Sequence, residues 1–185
     1  MKIAVEGNVH SGKTTFINKF VLENPEYKIV PECLFDASLG DYERQLFYIA
    51  QERQKKLDFS GEENTIQDRS ILSTLCYTMF MTTISNEQKQ ELIKTILDGI
   101  NSGEFIIPDK IYFVKCKADI VASNHKVLKA EKGTQDVLAT TNYLDFYNAQ
   151  FEKWLSSSTK ESEISSGDRV ITIFDAQNLF KNLEV

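Results

Sequence analysis

The fold of this chain is decided by the stretch Gly7-Asn8-Val9-His10-Ser11-Gly12-Lys13-Thr14. It matches the phosphate-loop (P-loop) pattern G-x-x-x-x-G-K-[ST] at every fixed position. A short run with β-type residues precedes it at residues 2–6, and apolar side chains follow at helical spacing over residues 15–22. A strand, a glycine-rich loop and a helix in this order predict a loop whose backbone N–H groups and helix N-terminus bind phosphate.

The residues of this loop have separate expected tasks. Gly7 and Gly12 allow backbone geometry and close approach that a Cβ would block. Lys13 is expected to reach the β- and γ-phosphates, and the Thr14 hydroxyl to ligate Mg²⁺. His10 stands at a variable position and is expected to act as a spacer, because the loop backbone binds the phosphates. The predicted nucleotide-binding residues are Gly7, Asn8, Val9, His10, Ser11, Gly12, Lys13, Thr14 and Thr15.

Size and composition favour one domain. The chain has 185 residues, 42% of them hydrophobic and 26% charged, as in ordinary globular proteins. The formal net charge of −6 speaks against a nucleic-acid partner, which usually meets a basic surface. The first strand begins at residue 2, which leaves no room for a signal peptide, and no apolar run approaches the roughly 20 residues of a membrane span. Three cysteines without a C-x-x-C pair fit reduced thiols, so we expect a cytoplasmic protein without a membrane partner.

Apolar strands alternate with helical segments along the chain, a pattern typical of an α/β domain with a mostly parallel sheet. The predicted strands are residues 2–6, 27–32, 64–68, 110–115 and 169–175. The predicted helices after the first are residues 41–57, 71–82, 86–100, 141–155 and 177–183. Residues 125–139 and 156–167 are expected to be loops, the second of them because it is rich in serine and glutamate.

Polar residues follow the second and third predicted strands, at the sheet edge where ligands of α/β proteins gather. Asp68 could hold Mg²⁺, and Arg69 could neutralise phosphate charge during transfer, or the two could form an ion pair that caps the next helix. Glu32 could act as a general base toward an acceptor hydroxyl, or it could be a solvated strand end. Asp175 ends the fifth strand, where it either shapes an adenine pocket or caps the last helix.

The predicted helix 41–57 carries a possible acceptor pocket. Tyr42, Gln45, Tyr48 and Arg53 could stack on a base and hydrogen-bond its edge. Core packing is the simpler explanation of the aromatic residues. Gln45 and Arg53 fit that explanation less well, although either could face water.

These residues together resemble a family. The run Ile3-Ala4-Val5-Glu6 and the loop after it resemble the opening I-E-G-N-x-x-x-G-K-[ST]-T of deoxynucleoside kinases. Asp68-Arg69-Ser70 resembles their [DE]-R-S element, and Glu32 resembles their catalytic glutamate. Gln45 and Arg53 fall where members carry base-contacting residues. Thymidylate kinases are similar as well, at residues 50–53, 68–69 and 73–74.

Two departures from the family pattern affect the acceptor side. Cys33 stands where the family glutamate is usually followed by proline. The family lid is rich in arginine, whereas residues 117–145 contain none and offer lysines such as Lys126 and Lys129. Lysine neutralises phosphate charge but lacks the planar fork of arginine. Either the activity is weaker, or another residue supplies the arginine.

The resemblance implies a three-layer α/β P-loop fold with a five-stranded parallel sheet in the order 2-3-1-4-5, and a lid near residues 117–138. It implies a single domain over residues 1–185 that uses ATP and Mg²⁺ to phosphorylate a nucleoside-like acceptor. Lys13, Arg69 and Glu32 are then the expected catalytic residues, Thr14 and Asp68 the metal-positioning ones. A thymidylate-like monophosphate kinase and a nucleotide-binding switch remain alternatives. Two apolar helices, 71–82 and 141–155, could support a homodimer.

Overall fold

A computed structural model describes residues 1–116, 141–166, 169–181 and 183 of the chain. The predicted lid, with Lys126 and Lys129, lies outside the described residues. The strands are β1 (Lys2–Gly7), β2 (Lys28–Val30), β3 (Thr65–Asp68), β4 (Lys110–Cys116), β5 (Lys160–Ser166) and β6 (Arg169–Asp175). The helices are α1 (Lys13–Glu23), α2 (Asp41–Asp58), α3 (Ile71–Phe80), α4 (Asn86–Asn101) and α5 (Thr141–Leu155).

These strands form one sheet in the order β2-β3-β1-β4-β6-β5. The first four of them in this order are parallel, and Val5 on β1 lies opposite Asp68 on β3 and Tyr112 on β4. The α/β class is therefore confirmed. The predicted order 2-3-1-4-5 also holds for the five expected strands, because the fifth of them, residues 169–175, is β6 and lies next to β4.

The far edge of the sheet corrects the prediction of five parallel strands. β6 runs antiparallel to β4, and β5 runs antiparallel to β6, so the sheet is mixed and six-stranded. β5 falls within residues 156–167, which were expected to be a loop. Its polar composition suits an exposed edge strand, where charged side chains discourage further strand addition.

The direction of β6 reverses the places of its two ends. Arg169 pairs with Cys116, at the end of β4 that lies beside the phosphate loop, and Asp175 pairs with Lys110 at the opposite end. The adenine-pocket role of Asp175 is therefore wrong. Its carboxylate instead accepts a hydrogen bond from the backbone N–H of Gln177 at 2.8 Å. Residues 177–181 form turns rather than the predicted helix.

Two apolar clusters cover the two faces of the sheet. On one face α1 packs against β1 and β3 through Ile17, Ile3 and Ile66. On the other face α2, α3, α4 and α5 share a larger cluster that includes Leu75 and Phe151. Helices on both faces make the three layers expected for this class. Among the helices of the described ranges, none combines the length and the apolar character needed to cross a membrane.

Candidate functional site

The phosphate loop joins β1 to α1 as the sequence predicts. Gly7 and Gly12 have positive φ angles of 150° and 87°, and His10 has a φ of 57°. A Cβ on Gly7 would lie 2.4 Å from the backbone oxygen of Val114, so no larger residue fits there. The loop backbone therefore depends on glycine at both fixed positions.

Lys13 lies buried in this loop. Its ammonium group donates a hydrogen bond to the backbone oxygen of Asn8 at 2.8 Å. The pKa of Lys13 is lowered to about 7, mainly by burial and also by the nearby charge of Arg69, while the charges of Asp68 and Glu32 oppose the shift. The group is thus poised to gain a proton when an anion arrives.

Thr14 and Asp68 meet as expected for a metal-positioning pair. The Thr14 hydroxyl donates to Asp68 Oδ2 at 2.6 Å. The other carboxylate oxygen, Oδ1, is buried and has no hydrogen-bond partner among the described residues. A hydroxyl beside a carboxylate with a free oxygen fits Mg²⁺, which proteins usually hold with one or two oxygen ligands plus substrate phosphates. The described residues contain no cluster of three or more acidic, histidine or cysteine ligands.

Two further loop atoms are buried without a partner in the part of the chain that is described. They are the side-chain oxygen of Asn8 and the hydroxyl of Ser11. Asn8 also donates through its amide nitrogen to Asn148 of α5, at 3.3 Å. Buried polar atoms without partners are uncommon, and at this place they indicate a ligand that the loop is built to receive.

Glu32 and Arg69 form an ion pair beside the loop. Arg69 Nε lies 2.7 Å from Glu32 Oε1, although Glu32 belongs to the segment after β2 and Arg69 follows β3. Burial is the largest single influence and disfavours the charged guanidinium, but the charges of Glu32, Tyr147, Tyr143 and Glu6 together outweigh it. The pKa of Arg69 therefore lies above its ordinary value. Glu32 is half exposed and Arg69 nearly buried, so the carboxylate stays open to an acceptor.

A strained turn sets the direction of Arg69. Its φ is 67°, a conformation that residues other than glycine rarely adopt. Its backbone N–H donates to Val5 at 3.1 Å, and the next residue, Ser70, begins α3 by accepting a bond from the N–H of Leu72. The alternative interpretation, an Asp68-Arg69 ion pair that caps the next helix, is thus not observed, since Arg69 pairs with Glu32 and Ser70 is the cap.

A buried network around Glu6 was not foreseen from the sequence. The Glu6 carboxylate accepts hydrogen bonds from the Ser70 N–H and hydroxyl, from the Ser73 hydroxyl and from the Tyr147 hydroxyl, at 2.6–2.9 Å. Burial raises the pKa of Glu6, and these bonds together with the charge of Arg69 oppose the rise. Tyr147 of α5 also accepts from the backbone N–H of Gly7 at 3.1 Å. The network therefore joins the loop to α3 and α5.

The structure places the predicted acceptor residues of α2 in different surroundings. Gln45 is fully buried and accepts a hydrogen bond from Thr78 at 3.1 Å, while its amide nitrogen has no partner among the described residues. Tyr48 is half-buried, and burial raises its pKa to about 12, with Glu32 among the charges that act on it. Tyr42 is bonded through its hydroxyl to Glu91.

Arg53 and Cys33 take other positions. Arg53 pairs with Glu104 at 2.6 Å, in the segment that leads into the start of β4, so the structure does not bring it to the loop edge. The Cys33 thiol donates to Glu52 at 3.1 Å, and burial raises its pKa to about 12. The cysteine at this departure from the family pattern thus contacts the polar side of α2.

Arg169, the first residue of β6, lies beside Gly12 of the loop. A Cβ on Gly12 would lie 2.5 Å from the central carbon of the Arg169 guanidinium. The sequence predicted that Arg169 begins a strand, but not that it lies beside the loop. In a parallel strand, Arg169 would lie at the edge of the sheet away from the loop.

Comparison with known proteins shows the fold. No protein-family model and no curated protein sequence matches this chain. Two solved structures of a deoxyadenosine kinase from M. mycoides match it, one with the products dCMP and a flexible dCDP bound and one with bound dATP. Each is 17% identical at a TM-score of 0.61, over 85% of this chain and 86% or 85% of that chain. The protein therefore has the fold of a deoxynucleoside kinase.

Proposed function

We propose that this protein is an ATP-dependent kinase that phosphorylates a hydroxyl of a nucleoside, in the manner of a deoxynucleoside kinase. The observation that carries the proposal is the juxtaposition of two pairs around one lysine. Thr14 with Asp68 lies on the donor side, Glu32 with Arg69 lies on the acceptor side, and the charges of Asp68, Glu32 and Arg69 all act on Lys13. The fold supports the same proposal.

The chemistry follows from these positions. The loop N–H groups and Lys13 hold the donor phosphates, and Glu32 accepts the proton of the acceptor hydroxyl. The hydroxyl oxygen forms a bond to the γ-phosphorus, the bond from that phosphorus to the bridging oxygen breaks, and ADP leaves. Arg69 holds the Glu32 carboxylate and neutralises charge on the transferred group. Phosphoryl transfer needs mainly such positioning and electrostatic stabilisation.

Thr14 and Asp68 are the residues that would hold Mg²⁺ together with the donor phosphates. The ion would neutralise negative charge on the donor phosphates. The Oδ1 atom of Asp68, which has no hydrogen-bond partner within the described ranges, and the adjacent Thr14 hydroxyl support this assignment.

For the acceptor pocket we propose Gln45 and Tyr48, with Tyr42 at its margin. The amide nitrogen of Gln45 has no partner in the part of the chain that is described and can donate to a base, and the charge of Glu32 acts on Tyr48. Arg53 is not included, because its partner Glu104 holds it at the other end of α2. Lys126 and Lys129 remain the proposed lid cations.

The arginines near the acceptor site favour a nucleoside over a nucleoside monophosphate as the acceptor. The chain contains four arginines, and the two whose charges act on the acceptor side already have carboxylate partners: Glu32 binds Arg69, and Asp41 binds Arg44, whose charge acts on Tyr48. A monophosphate acceptor would need further cations there. We also propose a cytoplasmic, single-domain enzyme that binds no nucleic acid and can form a homodimer.

A coupled assay with ATP, Mg²⁺ and a panel of nucleosides and nucleoside monophosphates tests the proposal. We expect turnover with at least one nucleoside and a loss of at least about a hundredfold in kcat for Lys13→Ala, because the donor phosphates lose their lysine. The matched control is Lys19→Ala, which removes an exposed lysine of the same helix and should leave kcat unchanged.

Three other results would contradict the proposal. Turnover with monophosphates alone would show the thymidylate-like alternative. ATP binding without any phosphorylated acceptor would favour the switch. Undiminished turnover in Lys13→Ala would exclude the assigned mechanism.

A further inference from the structure

The four arginines of the chain differ in whether a carboxylate binds them. Arg44 pairs with Asp41, Arg53 with Glu104 and Arg69 with Glu32. Within the described ranges no hydrogen bond or ion pair engages the side chain of Arg169. A half-buried guanidinium without an acidic partner is free to bind an anion.

Its position identifies that anion. The space that a Cβ would fill at Gly12 holds the Arg169 guanidinium, with its central carbon and two terminal nitrogens at 2.5–2.8 Å from that point. Gly12 is the N-cap of α1 and directly precedes Lys13. The face of Gly12 that lacks a side chain is the face at which a phosphate can approach the loop backbone closely. Arg169 therefore lies at the phosphate cradle itself.

The edge hairpin holds Arg169 there. Because β6 runs antiparallel to β4, its first residue lies at the loop edge of the sheet. Ile171, two residues later and so on the same side of the strand, packs in the apolar cluster beneath α1. That packing directs Arg169 toward the N-terminus of α1. Asp68, by contrast, reaches the loop from β3 on the other side of β1.

We propose that Arg169 binds the phosphate chain of the donor nucleotide, on the side of the loop opposite Asp68 and Thr14. The two sides then carry complementary tasks: an oxygen pair for the metal on one, and a planar guanidinium for phosphate oxygens on the other. Residues 117–138 contain no arginine, so this guanidinium comes from a different part of the chain. The inference rests on the proposed function for the identity of the donor.

Binding of ATP and of inorganic tripolyphosphate to the full chain tests the inference, by calorimetry at fixed Mg²⁺ and salt. Arg169→Gln should raise the Kd of both by roughly 10- to 100-fold, the effect of one lost charged hydrogen-bonding contact. Arg169→Lys should retain part of the affinity, because it keeps the charge and loses the fork. The dependence of log Kd on log salt should become shallower in Arg169→Gln and stay nearly unchanged in Arg169→Lys.

A control on the same hairpin separates this effect from loss of fold. Lys160→Ala removes an exposed positive charge of β5 at the end of the hairpin away from the loop, and should leave both Kd values unchanged. A packing role for Arg169 would make its Lys and Gln variants equally weak. Equal Kd values in the wild type and Arg169→Gln would overturn the inference. Tighter binding by Arg169→Gln would also overturn it, because Arg169 would then be a plug that ATP displaces.

The failure of the inference and that of the proposed function are distinguishable. The binding measurement needs no acceptor, so a chain that binds ATP through Arg169 but phosphorylates no nucleoside refutes only the kinase. If the wild type and Arg169→Gln phosphorylate a nucleoside equally well, only the proposed contact between Arg169 and the donor phosphates is refuted.

Discussion

At the scale of single residues, the site is a set of charges held partly out of water. Lys13 is buried, its hydrogen-bond acceptor among the described residues is the backbone oxygen of Asn8, and its pKa is about 7. Bound phosphates would favour the ammonium form and raise this pKa. Binding of the donor therefore takes up a proton wherever the free protein has lost it.

This linkage predicts the pH dependence of ATP binding. Above pH 7 the free protein loses the Lys13 proton while the complex keeps it, so the affinity should fall by up to about tenfold per pH unit between pH 7.5 and 9. Calorimetry at pH 8.5, in buffers of different ionisation enthalpy, should show an uptake that approaches one proton per ATP.

The control for this prediction is Lys13→Arg, whose guanidinium keeps its charge over the whole range. Its ATP affinity should be nearly independent of pH between 7.5 and 9. A wild-type affinity that does not change over this range would mean that Lys13 is already fully protonated in the free protein.

At the scale of elements, α5 contributes to the loop although nothing in its sequence pattern marks it. Tyr147 donates to Glu6 and accepts from the N–H of Gly7, while its ring stacks on Phe151 at 4.4 Å. One hydroxyl thus satisfies a buried carboxylate and a buried backbone N–H. The start of the loop is positioned by a helix about 140 residues away in the chain.

Tyr147→Phe is expected to lower the free energy of unfolding by about 1–3 kcal/mol, because it leaves the buried N–H of Gly7 without its acceptor and removes one of the hydrogen bonds to the Glu6 carboxylate. Guanidinium denaturation measures the change. The same substitution at Tyr42, whose hydroxyl bonds to Glu91 at the surface, should cost less than about 0.5 kcal/mol. Equal effects of the two substitutions would show that the Glu6 network adds no stability.

At the scale of the whole molecule, one sheet carries two apolar clusters on opposite faces. Ile17 of α1 belongs to one, and Leu75 of α3 belongs to the other. Because β1 and β4 contribute to both, neither cluster can be lost without disturbing the strands of the other. We therefore expect the chain to unfold as one cooperative unit.

Ile17→Ala and Leu75→Ala should each lower the free energy of unfolding by about 2–5 kcal/mol, because each leaves a cavity in a fully buried cluster. In both variants the fluorescence of the single Trp154 and the far-UV circular dichroism should report the same midpoint. Leu22→Ala, at an exposed leucine of α1, should change stability by less than about 0.5 kcal/mol. Two separate transitions, of which each variant moves only one, would show two independent units.

Local signals account for the parts of the site that sequence reasoning located. The glycines and Lys13 belong to one short loop, and Asp68 is the last residue of its strand, so spacing along the chain is enough to place them. The capping box that Ser85 and Gln88 form at the start of α4 is a signal of the same local kind. The role of Arg53 as a base contact is not supported by its position, because an ion pair with Glu104 could not be read from helical spacing.

By itself, then, the sequence determined the α/β class, the phosphate loop and the polar ends of β2 and β3, because these depend on neighbours in the chain. Only the tertiary structure decided that Glu32 pairs with Arg69, that Tyr147 completes the Glu6 network and that Arg169 faces Gly12. The physical reason is that strand direction and helix docking depend on pairing and packing between distant segments. A polar edge strand and an antiparallel neighbour leave no local mark that separates them from a loop and a parallel strand.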